Sequence, residues 1–157
     1  MRDLVSAEEF IEPELGAVLQ APVRQSLGRN PVRTQVSYAS LLNNSGCDEV
    51  LGLAARLRAW RELMRGCGAQ LVFADHAPTA LLAARTLGLP AAHLGTGFTV
   101  PPLRAPFPTF HADAKLPAGV LEHNEAAVLA NINASLARIG AQPLTALQDV
   151  IGGAAGY

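Results

Sequence analysis

The stretch from Leu71 to Leu94, LVFADHAPTALLAARTLGLPAAHL, changes character twice within a short span. Leu71–Ala74 is an apolar run rich in strand formers. Pro78 then stands where a helix tolerates proline, in its first turn, and an Ala/Leu-rich segment runs to Leu87 before Gly88 and Pro90 end it. A second short run, Ala91–Leu94, follows and opens into Gly95 and Gly97. Two short strands flanking one helix make a βαβ unit, because parallel neighbours need a crossover of about a dozen residues and a helix supplies it. The expectation is an α/β fold with a parallel sheet.

Working outward, the clearest helix precedes this unit. Asp48 is a good N-cap, Glu49 sits in the first turn, and Val50, Leu53, Leu57, Trp60 and Met64 recur at helical spacing opposite Arg58, Glu62 and Arg65. Gly66 is expected to supply its left-handed stop. Further upstream, Gly16–Gln20 suits a buried strand closed by Pro22, and residues 23–35 read as an exposed connection. Downstream, residues 95–118 hold five prolines and read as a long ordered loop or arm. Val120–Ile139 returns to helical spacing with Gly140 as its stop, and a short helix from Pro143 to about Val150 should follow. The final GGAAGY is too small and flexible to hold structure by itself.

Composition narrows the function classes. Half of the 157 residues are hydrophobic, enough for the core of one domain. Twelve basic against thirteen acidic residues leave a net charge of -1, which gives no electrostatic reason to expect nucleic acid. Cys47 and Cys67 form no disulfide framework and no C-x-x-C pair, so reduced thiols in a cytoplasmic protein are expected. No run approaches the roughly 18 apolar residues of a spanning helix.

In open α/β sheets ligands bind where loops leave the carboxyl ends of parallel strands. Two such places follow the strands directly: Asp75-His76-Ala77-Pro78 and Gly95-Thr96-Gly97-Phe98. The glycines lack the third member of a dinucleotide fingerprint, and Pro101-Pro102 stands where its helix would begin, so no nucleotide cofactor is expected there. They serve either to turn the backbone or to let it approach a ligand. Asp75 either bonds free N–H groups at the following helix start or orients a histidine base; His76 either faces a ligand or is simply solvated. His93 lies inside a strand. His111, Asp113 and His123 match no metal-binding spacing, and no Ser or Cys occupies a nucleophile turn, so neither a metal nor a hydrolase triad is assigned. Trp60 is read as a core anchor of its helix.

Together these motifs resemble GT-B glycosyltransferases that modify lipophilic small molecules, including the macrolide and UDP-glucuronosyl/glucosyltransferase relatives. The likeness is carried by ADHAPTALLAAR (Ala74–Arg85) and GTGFTVPP (Gly95–Pro102), with weaker support from VLQAP (Val18–Pro22) and SYASLL (Ser37–Leu42). It implies an incomplete Rossmann-like parallel sheet flanked by helices, the whole of residues 1–157 being part of an N-terminal acceptor-binding domain. By that comparison Met1–Leu4 would be the tail of the second strand. The first strand, with the loop that normally carries the histidine base, and the C-terminal nucleotide-sugar domain would be absent.

The resemblance further implies a small-molecule acceptor, and a nucleotide-sugar donor reached only through a missing domain or a partner chain. Asp75 matches the aspartate that holds the base, while His76, Thr96, Gly97 and Phe98 fall where the acceptor would bind. The expected function is sugar transfer to an acceptor hydroxyl, with this chain incomplete on its own. The alternatives are a non-catalytic acceptor-binding module, a subunit of a split glycosyltransferase, or a truncated reading frame without a stable product.

Overall fold

The Leu71–Leu94 stretch folds as its pattern predicts. The computed structural model describes residues 34–152. In chain order its elements are α1 (Tyr38–Leu42), α2 (Val50–Gly66), β1 (Val72–Asp75), α3 (Pro78–Thr86), β2 (Ala91–Leu94) and α4 (Val120–Arg138). A π turn at Asn43–Cys47 continues α1, and a 3-10 turn spans Leu147–Val150. β1 and β2 are parallel, with Val72 opposite Ala91 and Asp75 opposite Leu94. Among the described residues the sheet has these two strands, so the chain is α/β at that level. The expected strand at Gly16–Gln20, the connection over 23–33, Met1–Leu4 and the tail after Gly152 lie outside the described residues.

Strand periodicity sorts the sheet into two unlike faces. Ala74, Ala91 and His93 are buried and Val72 is half-buried on one face, whereas Phe73, Asp75 and Leu94 are exposed on the other. α3 packs on both strands and also on α2, which in turn packs on α4. That position explains α3's composition: Pro78, Ala80, Leu81, Leu82, Ala83 and Ala84 are all buried, so the helix is apolar nearly all round. On α2, Leu53, Leu57 and Met64 are buried and Trp60 packs at the margin of the core.

Helix ends correct the sequence reading in two places. The N-cap of α2 is Glu49, not Asp48: Glu49 has extended backbone and its carboxylate accepts from the N–H groups of Leu51 and Gly52. Asp48 is already in a helical conformation as it leaves the π turn, so its backbone is wrong for a cap. At the other end Gly66 is still helical, and Gly68 supplies the left-handed residue at φ 63°. The N–H of Ala69 then reaches back to the Met64 carbonyl at 2.9 Å, and Leu89 to Ala84 and Ala141 to Leu136 repeat the closure at 3.0 Å after Gly88 and Gly140.

α1 was not legible as a helix. Ser40 Oγ accepts from the N–H groups of Val36 and Ser37 at 3.0 and 3.1 Å and donates to the Ser37 carbonyl at 2.7 Å, tying down the helix start. The helix expected from Pro143 is also shorter than its pattern. Asn133 on α4 bonds both the N–H and the carbonyl of Leu144, at 2.8 and 3.0 Å, and Ala146 is extended, so only Leu147–Val150 coils.

Residues 95–118 form an irregular arm, as expected, but one fastened to the core. Phe107 is fully buried and meets Tyr38 edge-on, with ring centroids 5.2 Å apart. Glu125 of α4 accepts from the Phe107 N–H, and Gln148 bridges Glu125 to the Arg104 carbonyl. Thr109 forms an isolated antiparallel bridge with Ser37, and the Phe110 N–H bonds the Val36 carbonyl at 2.9 Å.

Candidate functional site

Because Asp75 and Leu94 are register partners in parallel strands, the loops that follow them leave the sheet at the same rim. The two stretches singled out in the sequence, Asp75–Pro78 and Gly95–Phe98, therefore share one mouth, the carboxyl end where such sheets bind ligands.

Asp75 ends β1 on the open face of the sheet and is exposed. It does not cap α3: the capping position is Ala77, with no side-chain bond, and Pro78 at the first turn removes one of the donors a cap would satisfy. Of the two roles open to Asp75, helix capping is thus unfilled, and the carboxylate is exposed at the mouth.

His76 follows with φ 41°, a positive value found at no other non-glycine among the described residues. Its ring packs edge-on against Tyr38, centroids 6.3 Å apart at 78°, and its Nε2 is shut off from solvent without a hydrogen bond. Burial holds the imidazole below its ordinary pKa, with the Asp75 charge opposing that shift. His93, facing inward from β2 and only 3% exposed, has neither ring nitrogen bonded. Its pKa is also pushed down, by burial first and by the neighbouring His76 charge second, again against Asp75. Tyr38 is fully buried with an unbonded hydroxyl, and burial drives its pKa well above the ordinary phenol value. Asp75, His76 and His93 therefore influence one another's charge around the end of β1, and Tyr38 packs against the His76 ring.

The second loop is a tight turn. The Thr96 carbonyl accepts from the N–H groups of Thr99 and Val100 at 2.9 and 2.8 Å and from the Thr99 hydroxyl at 3.2 Å. Gly95 is required by that turn, since a side chain there would collide with Thr99 and meet Val100 Cγ2 at 3.1 Å. Gly97 is different: a Cβ there would touch nothing within 4 Å, and Thr96 and Gly97 are both exposed. Phe98 is 45% exposed, with one face of its ring stacked on Phe110 at a centroid distance of 4.1 Å. The arm thus presents an aromatic surface backed by a second ring.

The open face beside the mouth is apolar, with Phe73 65%, Leu71 59% and Leu94 44% exposed. A pocket of about 360 Å³ lies elsewhere, at the amino-terminal rim, between Leu81, Arg85, Leu89, Pro90, Asp149 and Val150. It is remote from Asp75, and Asp149 is engaged there in holding Thr145 and Ala146, so the chemistry and this cavity do not coincide.

Sequence reasoning missed Tyr38 and Phe107 as parts of the site. His93 carried a signal, since alternation along β2 puts it on the same face as Ala91; Tyr38 carried none, being brought to His76 only by the fold. His111 and Asp113 are exposed on the arm and His123 on α4, and among the described residues no group of three or more His, Cys, Asp or Glu could hold a metal ion. No described helix is long and apolar enough to cross a membrane. Comparison with family models, curated proteins and solved structures finds no match.

Proposed function

We propose that this chain is the acceptor-binding part of a GT-B-type glycosyltransferase, built on a Rossmann-like parallel sheet, and that the mouth formed by Asp75, His76 and the Gly95–Phe98 turn receives an apolar molecule through its hydroxyl. The observation that carries the reading is the shared mouth: a carboxylate freed from any capping duty sits across a parallel register from an exposed glycine and aromatic turn. In sugar transfer a base takes the hydroxyl proton as the oxygen attacks the anomeric carbon, and a carboxylate beside an imidazole stabilises the cation that forms. The nucleotide-sugar donor would be supplied by a further domain or a partner chain, and the exposed Leu71, Phe73 and Leu94 favour such an arrangement over a free-standing binding module.

The test is binding by the 157-residue chain followed by turnover in the assembled enzyme. A hydroxylated apolar acceptor should bind the chain and a nucleotide sugar alone should not. Phe98→Ala should weaken acceptor binding, and Asp75→Asn should lower turnover while acceptor affinity is retained. Acceptor affinity indifferent to Phe98→Ala, together with full turnover in Asp75→Asn, would remove both assignments.

A further inference from the structure

We infer that the cavity at the amino-terminal rim of the sheet is a binding site for a free α-amino acid with an apolar side chain, its carboxylate taken by Arg85 and its ammonium by Asp149. The cavity is separate from the mouth at the carboxyl end, and the inference does not depend on the function proposed for that mouth.

The cavity joins an apolar lining to two opposite charges that do not meet each other. Its volume of about 360 Å³ lies in the range of small-molecule pockets, which are mostly apolar with a few placed polar groups. The apolar walls come from separate elements: Leu81 from α3, Leu89 and Pro90 from the turn after it, and Val150 from the 3-10 turn. Leu81 and Val150 are core residues, 4% and 3% exposed, so packing fixes those walls. Gly88, at φ 68°, closes α3, and the Leu89 N–H returns to the Ala84 carbonyl at 3.0 Å, which pins the turn between them.

Arg85, in the last turn of α3, and Asp149, on the 3-10 turn, both line this cavity. Burial alone would raise the Asp149 pKa, but hydrogen bonds from Ala146 and Thr145, together with the Arg85 charge, hold it below its ordinary value, so the carboxylate is ionised. The two charges thus feel each other, yet they form no ion pair. Asp149 is held by the Thr145 N–H at 2.9 Å, the Thr145 hydroxyl at 2.8 Å and the Ala146 N–H at 3.0 Å. All three end on Oδ2, which fixes the carboxylate and leaves Oδ1 without a bond in the fold. Arg85 donates no hydrogen bond among the described residues, so its planar fork is open to the two parallel bonds a carboxylate accepts. The α3 dipole by itself favours a cation at this helix end, but it calls for neither an ionised Asp149 nor an apolar floor. A simple anion would use Arg85 alone and a hydrocarbon neither charge; an apolar α-amino acid uses both charges and the walls.

The experiment follows the methyl resonances of Leu81, Leu89 and Val150 in the 157-residue chain by NMR during titration with L-phenylalanine, whose ring shifts nearby methyl groups. Three analogues each lack one feature: 3-phenylpropanoate the ammonium, phenethylamine the carboxylate, and glycine the side chain. L-Phenylalanine should move the methyls of all three residues, and each analogue should bind about tenfold or more weakly, the loss expected for one charge-assisted contact or for the apolar body. Arg85→Gln, at an exposed side chain without a partner in the fold, should weaken L-phenylalanine by a similar factor. Asp149→Asn should bring it down to the affinity of 3-phenylpropanoate, and if that variant loosens the turn at Thr145 the analogue series on the wild type still decides. Binding of 3-phenylpropanoate as tight as that of L-phenylalanine overturns the amino-acid assignment, and unchanged affinity in Arg85→Gln overturns the carboxylate seat. Methyls that stay still up to the solubility limit of L-phenylalanine, or a response at Phe98 in their place, overturn the site altogether.

Discussion

Replacing Phe107 with alanine asks whether the 95–118 arm is a wall built on the core or a loop lying over it. The ring is fully buried, stands edge-on to Tyr38 at 5.2 Å and 68°, and its N–H bonds Glu125. Truncating a fully buried Phe costs about 3–5 kcal/mol, against about 5–15 kcal/mol for the stability of a whole domain. For a chain of this length each kcal/mol lowers the melting temperature by about 2–4 °C, so a fall of about 6–20 °C is expected. Phe107→Leu keeps much of the volume but loses the edge contact, worth about 0.5–1.5 kcal/mol in an aromatic pair, and should cost less than half as much. Urea denaturation followed by circular dichroism gives the energies, and amide exchange at Phe110 tells whether the arm has detached, because that N–H bonds the Val36 carbonyl. A loss under about 1 kcal/mol in Phe107→Ala, at a site where burial should cost several, would refute the picture of a core-anchored arm.

The two glycines of the second loop should behave oppositely. Gly95→Ala should destabilise by about 1 kcal/mol because its Cβ meets Thr99 and Val100, whereas Gly97→Ala should stay within about 0.5 kcal/mol and show its effect only on acceptor affinity. Equal denaturation midpoints for the two variants would contradict this. Acid sensitivity should trace to the buried histidines. Burial lowers the folded pKa of His93, so as pH falls through the ordinary histidine range the unfolded chain takes up a proton that the folded chain refuses. Stability is therefore complete above that range and is lost on acidification towards the lowered folded value, at no more than about 1.4 kcal/mol per pH unit per histidine. His93→Leu should be at least as stable near pH 7.5 and lose less on going to pH 5.5; an identical pH slope in both proteins would show that His93 is not the titrating group.

How far the sequence carries depends on whether the signal is local. The βαβ unit follows from Leu71–Leu94 alone because apolar runs, Pro78 and Gly88 act over a few residues each, and α4 follows from the spacing of Val128, Ile132 and Leu136, all buried on one side. Helix boundaries slipped where the preceding element interferes: Asp48 is the better cap by type, but it leaves the π turn with helical backbone, and Glu49, the next extended residue, takes the cap. The short helix from Pro143 was overestimated because Asn133, eleven residues before Leu144, takes the Leu144 backbone for itself.

Hydrophobic period, proline and glycine therefore determined the class of the fold, the parallel pairing and the placing of Asp75 and Gly97 after successive strands, since each of these is set by residues close in sequence. Tertiary structure alone decided which atoms surround them: Tyr38 reaches His76, Phe107 fastens the arm, and Asp75 is left free of α3. Such contacts join residues tens of positions apart, and side-chain packing between distant segments leaves no periodic trace in the chain that makes it.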